Sequence, residues 1–181
     1  FFFGLFSEGI DRTYELYILD DLGFRQSWNI PAIWTMVVIN AAVAFVGLIV
    51  LQIVKKYIKK GQHVTLWAFN FTVMMVLGLL IFAYFPIEYI ALLGFVFFSI
   101  TREGTSPLLN TILLKNTPSH IKATVLSGFG QLDAIGQLLS GAVMVAASIL
   151  FGIKGMYLLT AMLLVVPIVL LPQTHQKELP E

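Results

Sequence analysis

The stretch Ser7-Glu8-Gly9-Ile10-Asp11-Arg12-Thr13-Tyr14-Glu15 puts four charged side chains into a segment, residues 1–19, that otherwise reads as membrane-embedded. Glu8, Asp11, Arg12 and Glu15 stand at i, i+3, i+4 and i+7. On a helix they share one side and leave the other to Phe, Leu and Ile. One face is charged, and the other can meet lipid. A charge at the bilayer centre costs roughly 3 kcal/mol on insertion scales, so four on one helix must face protein, water or one another. The pattern predicts a helix that lines a polar cavity.

Composition sets the membrane context. Of 181 residues, 58% are hydrophobic and only 12% charged, with a mean hydropathy of +0.88. Soluble domains carry about 25% charged residues, and a core able to hide this much apolar surface would need a far longer chain. A net charge of +1 gives no ground for a nucleic-acid or acidic partner. The absence of cysteine excludes disulfides, thiolate metal sites and cysteine nucleophiles. The first residue is Phe, and no basic region precedes residues 1–6, which excludes an intact signal peptide there. The chain is expected to begin inside a longer protein.

A crossing needs about 20 mostly apolar residues. The sequence predicts six such segments, at about 1–19, 33–54, 64–85, 89–114, 123–151 and 156–171. Between them lie a polar turn with Asp20, Asp21, Gly23, Arg25, Trp28 and Pro31, a basic cluster of Lys55, Lys56, Lys59 and Lys60 before Gly61, a link at Pro86 and Glu88, a loop at 115–122, and a tight turn at 152–155. Residues 172–181 read as a polar tail. Trp28, Trp34 and Trp67 fall near segment ends, as interfacial anchors do. Seven lysines lie in the second connection, the fourth connection and the tail: Lys55, Lys56, Lys59, Lys60, Lys115, Lys122 and Lys177. The alternate connections hold only Arg25 and Lys154. Positive residues are retained on the cytoplasmic side, so the carboxy terminus is expected there. His63, His120 and His175 fall on the same side without a second ligand at metal spacing, so loop residues are expected rather than a metal site.

Charge within the predicted spans is confined to the first (Glu8, Asp11, Arg12, Glu15), the fourth (Arg102, Glu103) and the fifth (Asp133). Cutting after the third span leaves two triplets, each led by a polar-faced helix, as an inverted three-plus-three repeat would have. In the fourth span Ser99, Arg102, Glu103, Ser106 and Asn110 recur every three or four residues, a stripe about three turns long. Pro107 removes one backbone bond there and is expected to loosen the helix. Asp133, Gln137 and Ser140 form a shorter stripe in the fifth. Gly128, Gly130, Ala134, Gly136 and Gly141 beside it permit close helix packing. Glu8 and Asp133 lie roughly 16 Å and 15 Å from the ends of their spans, near mid-depth.

The run Ile100-Thr101-Arg102-Glu103-Gly104-Thr105-Ser106-Pro107-Leu108-Leu109-Asn110 resembles the tenth helix of major facilitator superfamily transporters. Thr117-Pro118-Ser119-His120-Ile121-Lys122-Ala123-Thr124-Val125-Leu126-Ser127 and Gly136-Gln137-Leu138-Leu139-Ser140-Gly141 resemble the loop and eleventh helix that follow. Ser7-Glu8-Gly9-Ile10-Asp11-Arg12 is similar to the seventh helix of a bacterial efflux-like branch. Lys122 stands where such loops often carry Arg, which keeps the charge and loses the bidentate fork. The resemblance covers the whole chain. It implies an all-α membrane protein whose six transmembrane helices form the carboxy-terminal half, a 3+3 inverted repeat, of a major facilitator fold in a bacterial inner membrane. The amino-terminal half would be the missing partner. It further implies alternating access around a central cavity lined by the first helix of each triplet, with the third helix outside.

Two basic and five acidic groups within spans carry a net charge of minus three if all are ionised, so at least one carboxyl is expected to be easier to protonate. Glu8 or Asp133 is therefore a candidate carrier of a coupling proton. Arg12 and Arg102 are expected to pair with Asp11, Glu15 or Glu103, and the same charges also read as structural pairs fixing helix register. Ser99, Ser106, Asn110 and Gln137 are candidate cavity-lining polar residues. The expected partners are a small-molecule substrate, protons and the lipid bilayer, without nucleic acid, cofactor or metal. The expected activity is secondary transport, proton-coupled and outward-directed. The alternative is a six-helix membrane module that binds substrate for a multi-subunit importer. An intramembrane enzyme would need a nucleophile with a base or a metal constellation, and the spans contain neither His nor Cys and no HExxH or nucleophile-elbow pattern.

Overall fold

The computed structural model describes residues 1–27, 30–59, 64–115 and 117–176. Trp28, Lys60, Gly61, His63 and Lys177, which carry parts of the anchor, loop and orientation arguments, lie outside the described residues. The chain is all-α over the described residues. Helix α1 covers Phe2–Leu16 and passes into a π-helical turn, Tyr17–Asp21. A short α2, Phe24–Ser27, leads to α3 (Ala32–Lys59), α4 (Val64–Tyr84) and α5 (Glu88–Lys115). A 3-10 turn, Ser119–Ile121, opens α6 (Lys122–Gln176).

Three helical stretches among the described residues are long and apolar enough to cross a membrane: Ala32–Lys56, Val64–Tyr84 and Ser119–Leu171. They make this an integral membrane protein. The expectation of six transmembrane helices forming half of a major facilitator fold is corrected by this finding. The 15 residues of α1 extend roughly 22 Å, short of a bilayer core about 30 Å thick. Helix α5 has the length, but Glu88, Arg102, Glu103 and Lys115 hold down its hydropathy. The last two predicted segments are the two arms of α6, which breaks at Gly152 and runs on to Gln176 through residues expected to be tail.

Helix α6 is broken once, at Gly152, whose φ of 71° and ψ of 176° only glycine adopts without strain. In a straight helix Met144 and Thr160 would stand roughly 24 Å apart. Here the Thr160 hydroxyl reaches the Met144 sulfur at 3.6 Å, so the chain doubles back at Gly152. Pro107, in contrast, does not interrupt α5, which continues helical on both sides of it.

Two close crossings hold the bundle. A Cβ on Gly78 of α4 would come within 2.8 Å of the Phe98 backbone nitrogen, and one on Gly94 of α5 within 2.7 Å of that of Phe82. Gly4 of α1 and Gly136 of α6 are as tightly placed, against the Asp133 carbonyl and the Phe1 carbonyl. Small residues let helix backbones touch where lipid supplies no hydrophobic drive between helices. Of the small residues singled out in α6, Gly136 serves this purpose, whereas Gly128, Gly130 and Gly141 face open space.

The apolar side of α1 was expected to be available to lipid. It packs into protein instead, with Phe6, Ile10, Tyr17 and Ile18 buried in the main core beside Leu79, Phe82, Met144 and Tyr157. The third predicted span, α4, lines none of the cavities described below and packs into the main core. In its most apolar window α4 is 39% buried, against 17% for α3. It is α3 that offers Ile33, Trp34, Val37, Phe45, Leu48 and Ile49 to its surroundings.

Candidate functional site

Where α1, α5 and α6 face one another a cavity of about 270 Å³ opens, lined by Phe3 and Ser7 of α1, Arg102, Glu103, Ser106 and Leu109 of α5, and Phe129, Asp133 and Gln137 of α6. The polar stripes of α5 and α6 meet there because Gly4 and Gly136 bring α1 against α6 one turn from Asp133. Arg102 and Glu103 also line a second cavity of about 150 Å³ between α1, α3 and α5, with Asp11, Tyr14, Asn40 and Ser99. Asn110 lines neither of these two cavities.

Arg102 bridges α5 to α1. Its two terminal nitrogens donate to the two carboxylate oxygens of Asp11 at 2.6 Å and 2.7 Å. This two-point geometry satisfies the planar guanidinium and fixes the register of the helices. Arg12 takes a different partner from those the sequence suggested: it donates to Glu8 one turn back at 2.6 Å. The Tyr14 hydroxyl lies 3.1 Å from the Glu15 carboxylate and 3.3 Å from Asn40 Oδ1, and its one proton serves one acceptor at a time. Gln137 donates to Asp133 at 3.2 Å. Neither Glu103 nor Asp133 has a cation within ion-pairing distance among the described residues.

The charged stripe of α1 is therefore split. Asp11 turns inward to α5, while Glu8 and Arg12 border a shallow open recess with Ala134, Gln137, Leu138, Gly141 and Val145. Glu15 faces a further recess beside Met36 and Asn40. Phe3 and Ser7, two turns and one turn before Asp11, are the α1 residues that line the main cavity, together with Phe129 and Leu109 from the other helices. Sequence reasoning passed over these four. The available signal was the i, i+4, i+8 spacing of Phe3, Ser7 and Asp11. Asn40 was overlooked as well, an amide in the apolar run of α3. Among the described residues no group of three or more His, Asp or Glu side chains is placed to hold a metal ion.

The chain is similar to an uncharacterized MFS-type transporter, YxaM, of Bacillus subtilis (strain 168), at 27% identity over 173 residues. The match takes in 94% of this chain and 41% of the Bacillus protein, so the chain spans about two-fifths of that relative's length. No protein-family model matches the chain, and no solved structure matches it. At this identity the likeness points to ties with the superfamily. The more detailed expectation, the carboxy-terminal six-helix half, does not survive the presence of three membrane-length helices.

Proposed function

We propose that this protein moves a small solute across the membrane, with proton uptake and release at Asp133 coupled to occupancy of the cavity between α1, α5 and α6. The observation that carries the reading is that cavity: two carboxylates without a cationic partner, set in a bundle of apolar helices. The likeness to an MFS-type transporter supports the same activity. Access alternates between the two sides of the membrane, and the solute leaves the cell as protons enter. The open recess beside Glu8 and Arg12 is covered by further helices in the working protein.

Asp133 is a better proton carrier than Glu8. Glu8 already holds a guanidinium at 2.6 Å, whereas Asp133 has an amide partner and faces Glu103, Arg102 and Ser7 across the cavity. A group that must bind and release a proton each cycle works best without a permanent counter-ion.

The test uses membrane vesicles carrying the complete protein, an imposed pH gradient, and three radiolabelled probes: tetraethylammonium, mannitol and toluenesulfonate. At least one probe is expected to move with the gradient. Asp133→Asn should remove gradient-driven movement while leaving exchange at equal pH, and Glu8→Gln should retain gradient-driven movement. Unchanged coupling in Asp133→Asn would remove the proton role from that residue.

A further inference from the structure

We infer that the cavity selects a compact organic cation, with Glu103 as the residue that sets this preference; the inference rests on the transport reading above. The argument is a charge balance. Three of the cavity's lining side chains are ionisable: Arg102, Glu103 and Asp133. Arg102 is already neutralised by both oxygens of Asp11, at 2.6 Å and 2.7 Å, on the side away from the cavity. Its two-point attachment keeps it from swinging across to either remaining carboxylate. The other arginines of the described residues are held elsewhere, Arg12 by Glu8 and Arg25 by Asp20. Arg102 also attracts Glu103 and Asp133 at longer range, but one cation against Asp11, Glu103 and Asp133 leaves the cluster with a negative balance.

If Asp133 exchanges a proton, Glu103 remains as the standing charge. An anion entering this space would meet repulsion from both carboxylates. A cation would replace the counter-ion that Glu103 lacks. The walls suit a cation with an apolar surface. Phe3 and Phe129 offer rings, whose faces attract a positive charge, and Leu109 adds an aliphatic contact. The part of the space that these three helices enclose, about 270 Å³, falls just under the roughly 300 to 1,000 Å³ typical of pockets for drug-sized molecules.

Two measurements on the complete protein separate this inference from the transport reading. Equilibrium binding of radiolabelled tetraethylammonium to the detergent-purified protein should be saturable, and toluenesulfonate should neither bind nor compete. Glu103→Gln, close in shape to the native side chain, should weaken tetraethylammonium binding about tenfold, and Glu103→Asp should restore part of it. A Glu103→Gln protein that elutes as the native one does and binds as tightly overturns the role of Glu103. Preference for mannitol or toluenesulfonate, in binding or in vesicles, overturns the cation selectivity and leaves transport standing. Tetraethylammonium binding without movement of any probe in vesicles upholds the cation site and overturns transport.

Discussion

At its carboxy-terminal end α1 runs into a layer of rings whose hydroxyls are matched, while its amino-terminal half borders a cavity with two unmatched carboxylates. Tyr17, buried among Phe82 and Tyr157 in edge-to-face contacts, donates its hydroxyl to the Ala83 carbonyl at 2.9 Å. The Tyr157 hydroxyl lies 3.2 Å from that of Thr13. About three turns earlier Ser7 lines the cavity that water or a ligand can fill, and Asp11 between them ties α1 to Arg102 of α5. One helix thus anchors the bundle at one end and leaves polar groups available at the other. Stability and binding are drawn from different residues, so the two ends can be perturbed separately.

The largest effect is expected where α4 and α5 touch at the anchored end. Valine at position 94 would push a Cβ to within 2.7 Å of the Phe82 backbone nitrogen. Overpacking of this kind costs about 3 kcal/mol, and backbone cannot move aside as a side chain can. Gly94→Val should therefore lose most of its monodisperse peak after solubilisation or unfold at a markedly lower temperature. Gly130→Val is the matched control, because a Cβ there meets nothing within 4 Å. If both variants behave alike, the close crossing is not what holds the bundle.

A smaller effect is expected from Tyr17→Phe. Ala83 lies in the last turn of α4, which ends before Pro86, and carbonyls of a last turn have no helical N–H to accept from. The Tyr17 hydroxyl supplies that donor. Its removal leaves a buried carbonyl unpaired, at a cost of about 1 to 2 kcal/mol, read as a lower unfolding temperature. Tetraethylammonium binding at the other end should be unchanged. Weakened binding in this variant would show that the two ends are coupled.

The separation of the ends explains what could be read in the sequence and what could not. Helical periodicity identified the stripes of α5 and α6, and Arg102, Glu103, Ser106, Asp133 and Gln137 do share one cavity. Periodicity gives a direction around an axis and not the neighbour found there. It grouped Asp11 with Glu8 and Arg12, yet Asp11 meets α5 while the other two pair with each other. Hydropathy likewise counts apolar residues without seeing what they touch. It read the apolar side of residues 1–19 as able to meet lipid, although Phe6 and Ile10 are core. It did place a turn at 152–155, and the structure breaks α6 there, at Gly152.

The smallest effect concerns the pair that first drew attention to α1. Arg12 and Glu8 stand one turn apart, with the Arg12 side chain 72% exposed. An exposed pair at this spacing contributes about 0.3 to 0.5 kcal/mol, and salt weakens it further. The coupling between Arg12→Gln and Glu8→Gln, measured as the departure of the double variant from the sum of the singles, should stay within that range and shrink at high salt. The pair is exposed only because α1 and α6 leave the recess between them open. A coupling above about 1.5 kcal/mol, insensitive to salt, would mean that the pair is desolvated in the working protein. Helices covering the recess would then be shielding it, and the polar region of α1 would extend from Asp11 out to Arg12.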